Sequence, residues 1–136
     1  MTGLDTNVLV RYLTQDDPGQ AALATAAVSA LTEDAPGWIA REVMVETVWV
    51  LERAYHLPRG NIADAIDGLL AARELVIEEA DRVGLAAQRW REGGAGFADQ
   101  MIALAGQGAG CRETLTFDIK AARIDGMELL DAHGEG

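Results

Sequence analysis

The chain has 136 residues, 49% of them hydrophobic, and its 22 acidic side chains against 11 basic ones give a formal net charge of -11. A chain of this size buries roughly two thirds of its unfolded surface, so a single domain spanning residues 1–136 is expected, and the acidity argues against a broad electrostatic footprint on nucleic acid. No apolar run approaches the ~18 residues of a membrane span, and no basic stretch followed by an apolar one opens the chain, which leaves the cytoplasm as the expected location and a membrane as no partner.

Short β-type runs alternate with longer helical patterns. A strand is expected at Leu4, followed by a helix beginning just after Asp5 in "GLDTNVLVRYL". Asp17 before Pro18 reads as an N-cap with proline at the first helical position. The helix it opens carries Ala22, Leu23, Ala26, Ala27, Ala30 and Leu31 at helical spacing, and Gly37 closes that region ahead of a strand at 38–40. "REVMVETVWVLERAYH" has no turn residue and is too long for a strand, so it reads as a largely buried helix. Pro58 opens another helix, a strand follows at 75–77, and "DRVGLAAQRW" and "GFADQMIALA" are helical. Strands at 114–117 and 127–130 complete the series.

Strand and helix alternating at these intervals favour a three-layer α/β/α sandwich with a mostly parallel central sheet. The glycines at 93, 94 and 96 and at 106, 108 and 110 read as compact interruptions. "GQGAGC" lacks the Lys-Ser/Thr pair of a phosphate loop and lies between a helix and the next strand, the reverse of the order such a loop needs. The single cysteine, Cys111, excludes an internal disulfide and a cysteine zinc cluster; it is expected as a small buried hydrophobe with no chemical role.

Four acids stand in apolar stretches. Asp5 and Asp118 fall where strands end, and in open α/β sheets ligands bind outside the carboxyl ends of the strands. Glu46 is flanked by "VMV" and "TVWV", and Asp99 sits in "GFADQMIALA". An ionised carboxylate in such surroundings is costly unless paired or bound to a metal. The plainer reading makes Asp5, Asp99 and Asp118 helix N-caps and pairs Glu46 with Arg53 or Arg41.

Taken together, "LDTNVLVRYLTQDDP", "VMVETVWVLER", "GFADQMIAL" and "TLTFDIKAAR" resemble the four acidic motifs of the PIN domain, and in particular of the VapC-type toxins of bacterial toxin-antitoxin pairs. The resemblance runs from residue 3 to about 130, where "IDGMELL" is similar to the family's final strand. It implies a metal-dependent endoribonuclease whose catalytic cluster is Asp5, Glu46, Asp99 and Asp118, with Asn7 and Thr116 as polar support. Carboxylates suit this work because Mg2+ and Mn2+ are hard cations that prefer oxygen, and magnesium keeps several waters beside one or two carboxylates and substrate phosphate. Asp5, Asp99 and Asp118 are the expected metal ligands, with Glu46 ligating through water or orienting the nucleophile. The implied reaction is in-line hydrolysis of RNA, leaving a 5′-phosphate and a 3′-hydroxyl.

The implied partners are an RNA substrate, a small VapB-type antitoxin whose C-terminal tail wraps the toxin, and a second copy of the chain in a homodimer. Arg11 lies two turns after Asp5, Arg41 follows the second strand, and Lys120 and Arg123 follow Asp118; these four are candidate phosphate contacts, or else ordinary helix-surface charge. Trp38, Trp49 and Trp90 read as core, with the alternative that Trp49 and Val50 line a groove for the antitoxin segment. His56 and His133 read as surface residues. Two other classes compete with the nuclease: a non-catalytic PIN-fold binding module, which loss of an acid would favour, and a phosphoryl-transfer domain, which wants a second acid close to Asp5 that "DTN" does not supply.

Overall fold

The computed structural model describes residues 1–130, and His133 lies outside them. The chain forms two compact units, Met1–Gly84 and Leu85–Gly136. Among the described residues every strand pairing is parallel, and six α-helices connect the strands, giving a mixed α/β fold. None of these helices is long and apolar enough to cross a membrane.

The first unit runs β1(Thr2–Gly3), α1(Thr6–Thr14), α2(Pro18–Ser29), β2(Gly37–Ile39), α3(Arg41–Arg53), α4(Arg59–Ala71) and β3(Leu75–Ile77), into the start of α5(Ala80–Arg91). Its sheet has the order β1-β2-β3, with Gly3 beside Trp38 and Trp38 beside Val76. Parallel neighbours need a long crossover, and the helices between these strands supply it. Leu4 N–H donates to the Trp38 carbonyl at 2.9 Å, extending the ladder to the residue before Asp5. Gly37 is the first residue of β2 rather than a closing turn; it is buried, and a Cβ there would meet Leu31 at 2.7 Å.

Helical periodicity places the core. Leu9 and Val10 of α1, Met44, Val48 and Leu51 of α3, and Ile62, Ile66 and Leu69 of α4 are buried with Ile39 and Ile77 of the sheet. In α3 the core residues recur every three to four positions, which leaves Glu46 and Trp49 on the outer side. The expectation of a largely buried helix is therefore corrected to an amphipathic one, and Trp49, expected in the core, is 57% exposed with the Arg53 guanidinium 5.9 Å from its ring centre.

Helix α2 begins where the sequence indicates: the Asp17 side chain accepts from Gln20 N–H and Pro18 is the first helical residue. Its buried face is Ala21, Ala24 and Val28, and Leu23 is 73% exposed. An alanine-rich helix has little preference among its faces, so its orientation follows the packing of Val28 rather than the run of alanines.

A polar knot ties α1 to the segments after it. Arg11 reaches Asp16 Oδ1 at 3.0 Å and Gln20 at 2.7 Å, while Tyr55 and Thr14 hydroxyls donate to Asp16 at 2.7 and 2.8 Å. The Tyr55 hydroxyl, then Thr14 and Arg11, holds the Asp16 carboxyl at about 2, against its ordinary 3.8. A lowered folded-state pKa contributes stability above the ordinary carboxylate value and loses it as pH falls through the depressed one. Asp16→Asn is thus expected to melt below the parent at pH 7. The gap in melting temperature should close as pH falls from 4 toward 2, and a gap that stays constant would contradict the assignment.

The second unit contains the C-terminal part of α5, then α6(Phe97–Gly108), β4(Thr114–Thr116), a 3-10 turn (Ala121–Arg123) and β5(Met127–Leu129). Strands β4 and β5 are parallel, with Thr114 beside Met127. Trp90 and Phe97 are fully buried, their ring centres 6.0 Å apart and tilted by 60°. "GQGAGC" covers the end of α6 and the turn at Gly110, whose φ of 88° is in the left-handed region, so it lies between helix and strand as read. Cys111, expected to be buried, is exposed in that turn.

Candidate active site

In the first unit Asp5 follows the first ladder and caps α1: its backbone is extended and its Oδ1 accepts from Thr6 N–H at 2.8 Å. Thr6 turns inward and is buried, and its hydroxyl donates to Glu46 Oε1, forty positions away on α3. Thr6 therefore links the two acids of this unit. The sequence reading passed over it for Asn7, which is exposed and lines a groove beside Arg11 and Leu23. The signal available was a hydroxyl directly after Asp5, on the first inward-facing turn of an amphipathic helix.

In the second unit Asp118 follows β4. Its Oδ1 accepts from Lys120 and Ala121 N–H at 2.8 and 3.0 Å, and its own N–H donates to the Thr116 hydroxyl at 3.1 Å. Asp99 lies in the first turn of α6, but the N-cap is Gly96. The N-cap alternative does not hold for Asp99: from the third helical position it accepts back from the Gly96 backbone. Burial first, and the nearby Asp118 carboxylate second, hold the Asp99 carboxyl above its ordinary range. These two acids are close enough to repel one another.

The apolar neighbours of the acids do not bury them all. Asp5, Glu46 and Asp118 are exposed, and Asp99 is half-buried. Beside Glu46 the core residues Met44, Val48 and Leu51 face inward from the other side of α3, while beside Asp118 Leu115, Phe117 and Ile119 are themselves exposed, so an apolar sequence context is not an apolar side-chain environment. Glu46 takes the Thr6 hydroxyl rather than an arginine, and Arg53 lies over Trp49. Arg11 is engaged with Asp16, while Arg41 donates its backbone N–H to Glu78 at 3.0 Å. Lys120 and Arg123 are exposed.

Within either unit, and among the described residues, no three His, Cys, Asp or Glu side chains gather closely enough to hold a metal ion. Each unit presents a pair. The donors are carboxylate oxygens, which fits a hard divalent cation, and magnesium is commonly held by one or two protein carboxylates together with substrate phosphate and water. A cation beside Asp99 and Asp118 would offset their mutual repulsion.

No curated protein matches the chain. The family model described as PIN domain matches residues 4–127. Since that match takes in every element from α1 through the 3-10 turn to the start of β5, the chain belongs to the PIN domain family.

Proposed function

We propose that the protein is a metal-dependent endoribonuclease, the toxin of a VapC-type toxin-antitoxin pair, in which Asp5, Glu46, Asp99 and Asp118 form the catalytic site. PIN domains are commonly nucleases and generally use divalent metal ions. The observation that carries the reading is the repeated arrangement: in each unit an aspartate lies within two residues of the end of a parallel strand, and each has a second acid as its neighbour.

Asp5, Asp99 and Asp118 would hold Mg2+ or Mn2+. When bound, the ion supplies a water of lowered pKa and stabilises negative charge at the phosphate and leaving oxygen. Asp118 is oriented by two backbone N–H groups, and Asp99 by the Gly96 backbone, so neither carboxylate is free to turn away. Thr6 holds one Glu46 oxygen and leaves the other to accept a proton or orient water. Trp49 and Val50, on the same helix as Glu46, present a face for a VapB-type antitoxin segment, and a second copy of the chain completes the toxin as a homodimer.

The test is incubation of purified chain with total RNA in Mg2+ or Mn2+, followed by mapping of new 5′ ends. Discrete ends carrying 5′-phosphate are expected, and they should vanish with EDTA and in Asp5→Asn. Asn keeps the oxygen that accepts from Thr6 N–H, so the cap survives while the charge is lost. Ends that persist in the variant would belong to a contaminant, and a chain that cuts nothing yet holds a protein partner would be the non-catalytic module.

A further inference from the structure

We infer that Phe117 is a platform for an RNA base: the base beside the phosphate presented to Asp118 stacks on its ring. The inference rests on the nuclease reading for the identity of the substrate. The platform itself stands on how the ring is exposed, held and surrounded.

Phe117 is 79% exposed, more than any other aromatic side chain of the protein. Trp90 and Phe97 are core, Trp38 and both tyrosines are half-buried, and the exposed Trp49 ring has the Arg53 guanidinium beside it. A phenyl ring left almost wholly in water forgoes the stabilisation that burial would supply.

The ring is also held. Thr116, the last residue of β4, accepts from Leu130 N–H at 2.8 Å through its carbonyl and from Asp118 N–H at 3.1 Å through its hydroxyl. Asp118 accepts in turn from Lys120 and Ala121 N–H at its carboxylate and from Ala122 N–H at its carbonyl. Both neighbours of Phe117 are therefore tied, which fixes the backbone from which the ring projects. A surface ordered beforehand loses less freedom when a ligand binds.

The surroundings decide the occupant. Consecutive Cα atoms are about 3.8 Å apart, less than the length of one nucleotide, so a phosphate brought to Asp118 carries a base within reach of the Phe117 ring. Ile119, 67% exposed, widens the apolar surface, and the exposed Lys120 and Arg123 follow it. An exposed ring interleaved with cations is the composition of a single-strand surface, where cations follow the backbone and the ring takes a base. The core of a protein interface is instead depleted of lysine and other charges, and a protein seated on Phe117 would cover the exposed Asp118. Leu115 is 55% exposed but lies beside Glu128, whose carboxyl shares a hydrogen bond with Glu113. That acidic pair repels phosphate, so the platform ends at Phe117 and Leu115 lies outside it.

Fluorescence anisotropy with the full chain tests this, in EDTA at low salt, using a labelled single-stranded oligoadenylate and an abasic ribose-phosphate oligomer of the same length and charge. The parent should bind the oligoadenylate about tenfold more tightly, the scale of base–aromatic stacking. Phe117→Ala should abolish that preference and leave the abasic affinity unchanged. Phe117→Leu, which keeps apolar bulk without a π-face, should lose most of it, and Phe117→Trp should keep it. Lys120→Ala should weaken both probes alike, and Leu115→Ala neither. The substituted residues are exposed, so these variants fold. In the cleavage assay Phe117→Ala should raise KM about tenfold with kcat little changed, since stacking holds ground and transition states alike. The platform is overturned if the parent binds neither probe or both equally, if Phe117→Ala weakens both equally, or if Phe117→Leu binds as the parent does. It is overturned too if Phe117→Ala and Leu115→Ala abolish self-association in sedimentation while RNA affinity holds, which would make this face a contact between copies of the chain. Metal-dependent cleavage with KM unmoved by Phe117→Ala would sink the platform alone, and base-dependent binding at Phe117 without any cleavage would sink the nuclease reading alone.

Discussion

Asp118→Asn and Asp99→Asn are each expected to lower RNA cleavage in Mg2+ or Mn2+ by roughly a thousandfold, the upper scale at which loss of one charge-stabilising group acts in enzymes. The double variant should fall little further, because groups that act as a unit lose their function together. Asparagine at 118 keeps an oxygen to accept from Lys120 and Ala121 N–H, so the turn after β4 is retained and the loss reports the missing charge. Asp99 allows a second, opposite readout. Its carboxyl is held above the ordinary range, by burial and then by Asp118. A raised folded-state pKa gives stability that is present below the ordinary value and lost as pH rises through the raised one. At neutral pH the ionised Asp99 is therefore unfavourable to the metal-free fold. In EDTA at pH 7 Asp99→Asn should melt above the parent, with the difference shrinking as pH falls toward 3. Millimolar Mn2+ should raise the melting temperature of the parent and much less that of the variant, since a ligand that binds only the folded state stabilises it by mass action. Single-turnover cleavage and thermal melts check both halves. Variants that cut within tenfold of the parent, or an equal manganese shift in both, would remove Asp99 and Asp118 from the metal site.

The legible parts of this fold are those written locally. The Asp17-Pro18 pair starts α2 because a side-chain oxygen and a fixed φ act on the nearest backbone alone. Leu75–Ile77 is a strand where the apolar run stands between helical patterns, and Asp5 and Asp118 fall after their ladders as the alternation requires. Features set by tertiary packing were not legible. Nothing near Trp49 in the chain indicates that Met44, Val48 and Leu51 face inward and leave the indole outside. The Thr6 to Glu46 contact spans forty positions and forms only once β1 and β2 pair. The N-cap alternative for Asp99 could not be separated from a first-turn position in sequence, because aspartate favours both, and Gly96 takes the cap when the third residue can reach back. Gln100 is 3% exposed and its Oε1 has no hydrogen-bond partner, which has no sequence signature, since glutamine on an amphipathic helix ordinarily faces water.

Trp90→Ala is expected to destabilise the protein by about 3–5 kcal/mol, the range for removing a large aromatic from a core. Trp90 is 1% exposed and packs at a tilt against Phe97, itself fully buried, and such pairs add about 0.5–1.5 kcal/mol beyond the area they bury. Domains of ordinary stability have only about 5–15 kcal/mol in all, so the variant should melt lower by roughly 10–20 °C. Trp49→Ala is the matched control. Its side chain is more than half exposed and lies beneath Arg53, and surface changes of this sort usually stay within about 0.5 kcal/mol. The difference between the two tryptophans bears on function because Phe97 is the first residue of α6 and Asp99 the third. The aromatic pair fixes where that helix begins, and hence where the Asp99 carboxylate is held. Trp90→Phe, which keeps an aromatic ring against Phe97, should recover most of the stability and, assayed well below its melting temperature, most of the cleavage. Thermal unfolding followed by circular dichroism, paired with the cleavage assay, decides the matter: equal melting temperatures for Trp90→Ala and Trp49→Ala would show that the pair does not anchor α6. Full stability in Trp90→Phe with cleavage lost would show that the indole itself, rather than the packing of the ring, positions the site.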